Sequence, residues 1–274
     1  MKKVSLSMLS IISMGFASCA FAEGTTQVNV PVAPSAASAP VSSNFTAAQS
    51  QEIEKIIADY LTKHPEIVMN SFQAGMAQQQ KEAIVKMEKA VAENKDKIFN
   101  NPATPVSGNP KGATSLVVFL DPNCGYCKKF HKELETLVST NKDVKIIYKD
   151  IPIMGPASVM AVKAMLAAKE QGKYDQFQKV VFSSDKPLTK KQLLKLASSV
   201  DIDTKKLEAD MKTKEIQTLI DQDLELAKVI GINGTPTLII GEKKVVPGYV
   251  SAEELKKMLQ ESTASSKQAS EKAS

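Results

Sequence analysis

Histidine and cysteine are both scarce: the chain has two histidines and three cysteines in 274 residues. A closed zinc site takes four ligands, so His64 and His131 make a resident metal unexpected. Covalent haem is ruled out as well. Cys124-Gly125-Tyr126-Cys127 is followed by Lys128, where haem attachment needs histidine. An excess of one charge is also missing. The 35 basic and 30 acidic residues are interspersed and leave a net charge of +5. That is a solvated surface with no nucleic-acid footprint, and no nucleic-acid partner is expected. Beyond the first 21 residues, no apolar run approaches the roughly 20 residues that a membrane span needs.

What is present begins with an export leader. Met1-Lys2-Lys3 is a short positive start, Val4 to Phe21 is mostly apolar, and Ala20-Phe21-Ala22 fits small-x-small cleavage before Glu23. Residues 1–22 therefore read as a signal peptide, and the expected location is the periplasm or an outer-membrane-associated site. Acylation of Cys19 is the alternative, although Phe16-Ala17-Ser18 lacks the usual branched aliphatic three positions back. Cleavage removes Cys19 and leaves Cys124 and Cys127 in a compartment where disulfides persist. A bond between them closes a four-residue loop, which makes a poor staple, because stabilisation grows with the loop closed. Redox chemistry is the better use of the pair.

Residues 23–45, uncharged from 24 to 44 and rich in Ala, Ser, Val, Thr and Pro, read as a disordered linker. Residues 46–100 read as helical. Thr46 caps a helix whose stripe is Ile53, Ile56, Ile57, Tyr60 and Leu61. His64-Pro65 starts a second helix carrying Ile67, Val68, Phe72 and Met76, then Ile84, Met87, Val91 and Ile98. This pair has too little apolar surface to fold alone. It packs either on its own domain or on a second copy, and the second option makes it an oligomerisation stalk, with a dimer favoured.

Three prolines mark a hinge at 101–110. A domain at 111–260 follows: strands at 116–120 and 144–148, a helix at 124–140, helices over about 156–230, strands at 237–240 and 244–246, and a helix from Ser251 to about Leu259. Residues 261–274 read as a disordered tail.

Chemistry centres on Cys124 and Cys127. A thiolate is the reactive form, and a helix N-terminus stabilises it. Cys124 sits at that terminus with Lys128 and Lys129 nearby, while Cys127 lies one turn on and is expected to be more buried. Cys124 is therefore the expected nucleophile and Cys127 the resolving thiol. Far downstream, Gly234-Thr235-Pro236-Thr237 puts a proline at a strand start, where it cannot donate to a ladder.

A CxxC at a strand-to-helix junction with a distant Gly-x-Pro-Thr strand resembles the thioredoxin superfamily. Helices between the second and third strands resemble its DsbA-like branch, and the wider pattern resembles stalked exported members such as ScsC-like proteins and Com-type outer-membrane antigens. The resemblance implies an α/β, thioredoxin-like fold with an inserted helical subdomain, and thiol–disulfide exchange without a cofactor. It also implies that Pro236 is cis and that Thr235, Pro236, Gly125 and Tyr126 contact substrate. The partners implied are unfolded or misoxidised exported proteins and a membrane redox partner. Gly125-Tyr126 is more similar to the dipeptide of the isomerase DsbC than to that of the oxidase DsbA. One departure is Val118, which stands where thioredoxin and DsbA carry a buried acid; Lys149, Asp150 or water is left to take the Cys127 proton. His131 is expected on the helix surface. A non-enzymatic envelope antigen or holdase with the same fold is the alternative function.

Overall fold

The computed structural model describes residues 45–273, with side chains described to residue 264. The leader, Cys19 and nearly all of the linker lie outside the described residues. Two units divide at Lys63 and His64. The first contributes α1 (Ala47–Lys63). Thr46 and Gln49 cap it reciprocally: the Thr46 amide donates to Gln49 Oε1 at 2.8 Å, and the Gln49 amide donates to Thr46 Oγ1 at 3.3 Å. None of its residues is buried.

The second unit runs α2 (Pro65–Glu93), α3 (Lys95–Phe99), β1 (Val106–Gly108), β2 (Thr114–Leu120), α4 (Gly125–Thr140) and β3 (Val144–Asp150). Helices α5 (Pro156–Lys169), α6 (Tyr174–Phe182), α7 (Lys190–Ser198), α8 (Thr204–Asp210) and α9 (Lys214–Ile230) follow. The chain then forms β4 (Thr237–Ile240), β5 (Lys244–Pro247) and α10 (Ala252–Ala273). The sheet order is β1-β3-β2-β4-β5. Only the β2–β3 pair is parallel, as expected of a β-α-β crossover through α4.

Central β2 is buried on both faces, which is why its sequence is a continuous apolar run. Leu116, Val118 and Leu120 join a core with Phe130, Leu134 and Leu137 of α4 and Leu255 and Leu259 of α10. Val117 and Phe119 join a second core with Leu226, Ala227 and Ile230 of α9. Val91 of α2 and Ile98 of α3 complete that second core at 0 % exposure. The end of the expected stalk therefore belongs to the domain. Ile67, Val68, Met69, Phe72 and Met76, earlier on α2, remain exposed.

Three sequence expectations need correcting. The hinge at 101–110 contains β1, which pairs antiparallel with β3, and Thr104 is buried. The three residues of β1, set between Pro105 and Pro110, are too few to show a period-two signal. The expected disordered tail is helical, since α10 continues to Ala273. That stretch has no Gly or Pro to stop a helix, and Ala, Glu and Lys, which favour helix, are interleaved with its serines. His131 is the third: it is buried, because α6 covers that side of α4.

Candidate active site

β2 ends at Leu120, and Asp121-Pro122-Asn123 turns the chain into α4. Asp121 is wholly buried, and its carboxylate fixes this turn from three directions. Oδ1 accepts from the Asn123 amide at 2.8 Å and from Ser158 Oγ at 2.7 Å, and Oδ2 accepts from the Met154 amide at 2.9 Å. The Asp121 carbonyl accepts from the Cys124 amide at 3.0 Å. Sequence reasoning missed Asp121 and Ser158 as positioning residues. An Asp that opens a turn just before a helix cap was the available signal for Asp121.

Cys124 is the N-cap of α4. Its sulfur accepts from the Cys127 amide at 3.4 Å and lies 3.3 Å from the Thr235 carbonyl, to which the thiol donates. Cys124 is 8 % exposed and Cys127 0 %, and both are free thiols. Fold topology thus closes a gap of 111 residues between the CxxC and the Thr235–Pro236 bond, which is cis. Pro236 is buried and Thr235 half-buried. Gly125 and Tyr126 face outward: a Cβ on Gly125 would meet nothing within 4 Å, and Tyr126 is 64 % exposed with Lys129 Nζ 5.5 Å from its ring centroid.

Burial pushes the Cys127 thiol far above its ordinary range, only partly offset by hydrogen bonds from the Asp121 backbone and the Thr235 side chain. Its proton needs a route out, and Lys149 does not provide one. The ammonium is spent on Asp223 Oδ1 at 2.8 Å, Thr104 Oγ1 at 2.9 Å and the Lys97 carbonyl at 3.3 Å, and it offers no acceptor. Burial holds His131 below its usual value, and the ring stacks on Phe182 at 4.8 Å with Nε2 3.3 Å from Gln178 Oε1.

Asp150 ends β3 with Oδ2 accepting from the Tyr174 hydroxyl and Oδ1 without a partner among the described residues. Burial raises it to about 7. An unfolded aspartate titrates near ~4, so the folded state binds the extra proton between those values and loses stability as pH rises through that window. Asp150→Asn should remove this slope. Wild type is expected to lose about 5 °C of Tm between pH 5 and pH 8 that the variant keeps, as read by thermal melts. Equal slopes would show that Asp150 is ionised throughout.

Among the described residues, no group of three or more His, Cys, Asp or Glu is placed to hold a metal, and no helix is long and apolar enough to cross a membrane. A cleft of about 740 Å³ between Asn94–Pro102 and α9 contains neither thiol.

A thiol pair at the N-terminus of the first crossover helix, against a cis-proline loop in a mixed sheet, defines a thioredoxin-fold protein with a dithiol site. A family model described as thioredoxin matches residues 100–261, and the chain belongs to that family. A thioredoxin-like oxidoreductase from Silicibacter pomeroyi is 36 % identical with a TM-score of 0.59, covering 61 % of this chain and 96 % of that one. A linker-deletion variant of ScsC from Proteus mirabilis is 26 % identical with a TM-score of 0.62, covering 82 % of this chain and 99 % of that one. The thiol:disulfide interchange protein DsbC of Escherichia coli is 26 % identical over 154 residues, 56 % of this chain. The chain spans 53 % of that DsbC and 22 to 24 % of the Na⁺/H⁺ antiporters that also match it.

Proposed function

We propose that the chain is an exported thiol:disulfide oxidoreductase whose Cys124–Cys127 pair exchanges disulfides with secreted or envelope proteins. One observation carries this most: Cys124 caps α4 while its sulfur lies 3.3 Å from the Thr235 carbonyl beside Pro236. A substrate strand paired with the Thr235 backbone would thus present its own sulfur at the nucleophile. The Cys124 thiolate attacks one sulfur of the substrate disulfide, forming a mixed disulfide and releasing one substrate thiolate. That thiolate can attack a different disulfide in the same substrate, whose freed cysteine then displaces Cys124; this is isomerisation with no net electron transfer. Alternatively, Cys127 loses its proton and attacks the Cys124 sulfur, giving the Cys124–Cys127 disulfide and a reduced substrate. The reverse sequence oxidises a substrate dithiol. A membrane redox partner would reset the pair.

The likeness to DsbC and the Gly125-Tyr126 dipeptide support isomerisation. The leader supports a periplasmic or outer-membrane-associated site. Scrambled ribonuclease tests the function: wild type should restore activity, and Cys124→Ala should restore no more than buffer. Equal recovery with both proteins would sink the proposal.

Self-association through the helical region, with a dimer favoured, is part of the same proposal. Its support is the exposure of Ile56 at 59 % and Phe72 at 64 %. Ile56→Glu with Phe72→Glu should convert the full chain from oligomer to monomer in light scattering. A monomeric wild type would remove the basis for a stalk. Truncation at residue 100 is a poorer test, because it strips Val91 and Ile98 from the domain core.

A further inference from the structure

A groove of about 300 Å³ is lined by the loop that carries Thr235 and Pro236, and the Thr235 carbonyl lies 3.3 Å from the Cys124 sulfur. Pro247 and Gly248, at the end of β5, close one side, and Gln80, Ala83, Ile84 and Met87 of α2 form the other. None of the residues lining the groove carries a charge. Ile84 and Met87 are half-buried, and Met87 also packs toward Gly231, where a Cβ would lie 3.8 Å from its side chain. Gly231 has φ +88°, a conformation that glycine takes without strain and that ends α9 so the chain can pass close under α2. Helix α2 therefore does two jobs along its length. Val91 is core, while Ile84 and Ala83, about two turns earlier, face open space next to the cis-proline loop.

Resting on the exchange function above, we propose that α2 is the specificity wall of the substrate groove. Ile84 and Met87 receive an uncharged apolar side chain close in sequence to the substrate cysteine held by Cys124. The occupant is fixed by the chemistry next door. A polypeptide joined to Cys124 through a mixed disulfide has its flanking residues tethered beside Thr235, and Thr235 lines the groove. The region N-terminal to the thioredoxin core thereby selects clients, favouring extended segments of unfolded chains whose apolar residues are still exposed. Folded proteins that present a disulfide on a polar surface have nothing to place there.

The test uses the full chain and two synthetic peptides, each carrying one cysteine as a mixed disulfide with glutathione. The cysteine is flanked by leucine in one and by serine in the other. Rate constants for attack by reduced protein are compared with those for oxidised glutathione, which is too small to reach α2. Wild type should favour the leucine peptide by about tenfold, the low end for an apolar pocket contact. Ala83→Trp, which fills the groove from an exposed position, and Ile84→Ser, which empties its wall, should each bring the preference below twofold. Both should leave the oxidised glutathione rate unchanged. A wild type without preference, or a preference that survives Ala83→Trp, overturns the inference while the exchange function stands. Failure of the wild type to react with any of the three disulfides overturns both.

Discussion

Replacing Cys127 with serine should leave a mixed disulfide on Cys124 that the wild type does not accumulate. The two thiols belong to one helical turn, with the Cys127 amide on the Cys124 sulfur at 3.4 Å. Once substrate is joined to Cys124, Cys127 is the nearest nucleophile. Intramolecular attack carries effective molarities of up to ~10⁵ M or more, so even imperfect placement outpaces millimolar external thiol by at least about a thousandfold. Serine keeps the size and removes the nucleophile. Cys127→Ser incubated with scrambled ribonuclease should yield a covalent adduct on non-reducing gels, confirmed at Cys124 by mass. Cys124→Ser should yield none, because Cys127 is wholly buried and burial keeps its thiol protonated. An adduct on Cys127 in the second variant would invert the roles given to the two sulfurs.

Breaking the buried ion pair should have the largest effect on stability. Lys149 Nζ lies 2.8 Å from Asp223 Oδ1, with side chains 0 % and 6 % exposed. The pair joins β3 to α9, and the same ammonium reaches Thr104 and the Lys97 carbonyl in the segment before β1. Burial raises Asp223, and Lys149 pulls it only partly back toward the charged form. Removing the carboxylate leaves a buried ammonium without a counter-ion, a defect of about 3–5 kcal/mol. Asp223→Ala should therefore lower Tm by about 10 °C in a domain of this size. Asp223→Leu combined with Lys149→Met should recover most of that loss, since apolar residues of similar volume replace buried pairs with little penalty. A single variant that melts within about 2 °C of wild type would mean that water reaches Lys149 in solution.

The fold was legible where local pattern and burial agree. β2 reads as a continuous apolar run because both of its faces are covered, and the α4 stripe at Phe130, Leu134 and Leu137 packs against one face. Thr235 and Pro236 were legible as site residues through resemblance rather than through spacing. No local signal reports that β4 returns beside β2 and brings them to the thiols. Asp121 carries only a local turn signal in the sequence, since its Ser158 and Met154 partners lie more than 30 residues on. His131 looked exposed because its cover, Phe182 and Gln178, comes from α6. The junction near residue 100 misled for the opposite reason. Prolines there suggested a separator, but Val91, Ile98 and Thr104 are held by the sheet and by Lys149, contacts that exist only once the domain has folded.

The central claim is that Cys124 and Cys127 form a reversible redox pair, and equilibration of the full chain in glutathione buffers of graded ratio tests it most directly. Thiol alkylation and mass analysis give the fraction oxidised at each ratio. Expected is one two-electron transition at a potential between about −270 and −120 mV, the span of thioredoxin-fold exchange proteins. A pair that stays a dithiol in every buffer, or a disulfide that resists reduction below about −300 mV as structural bonds do, would contradict it.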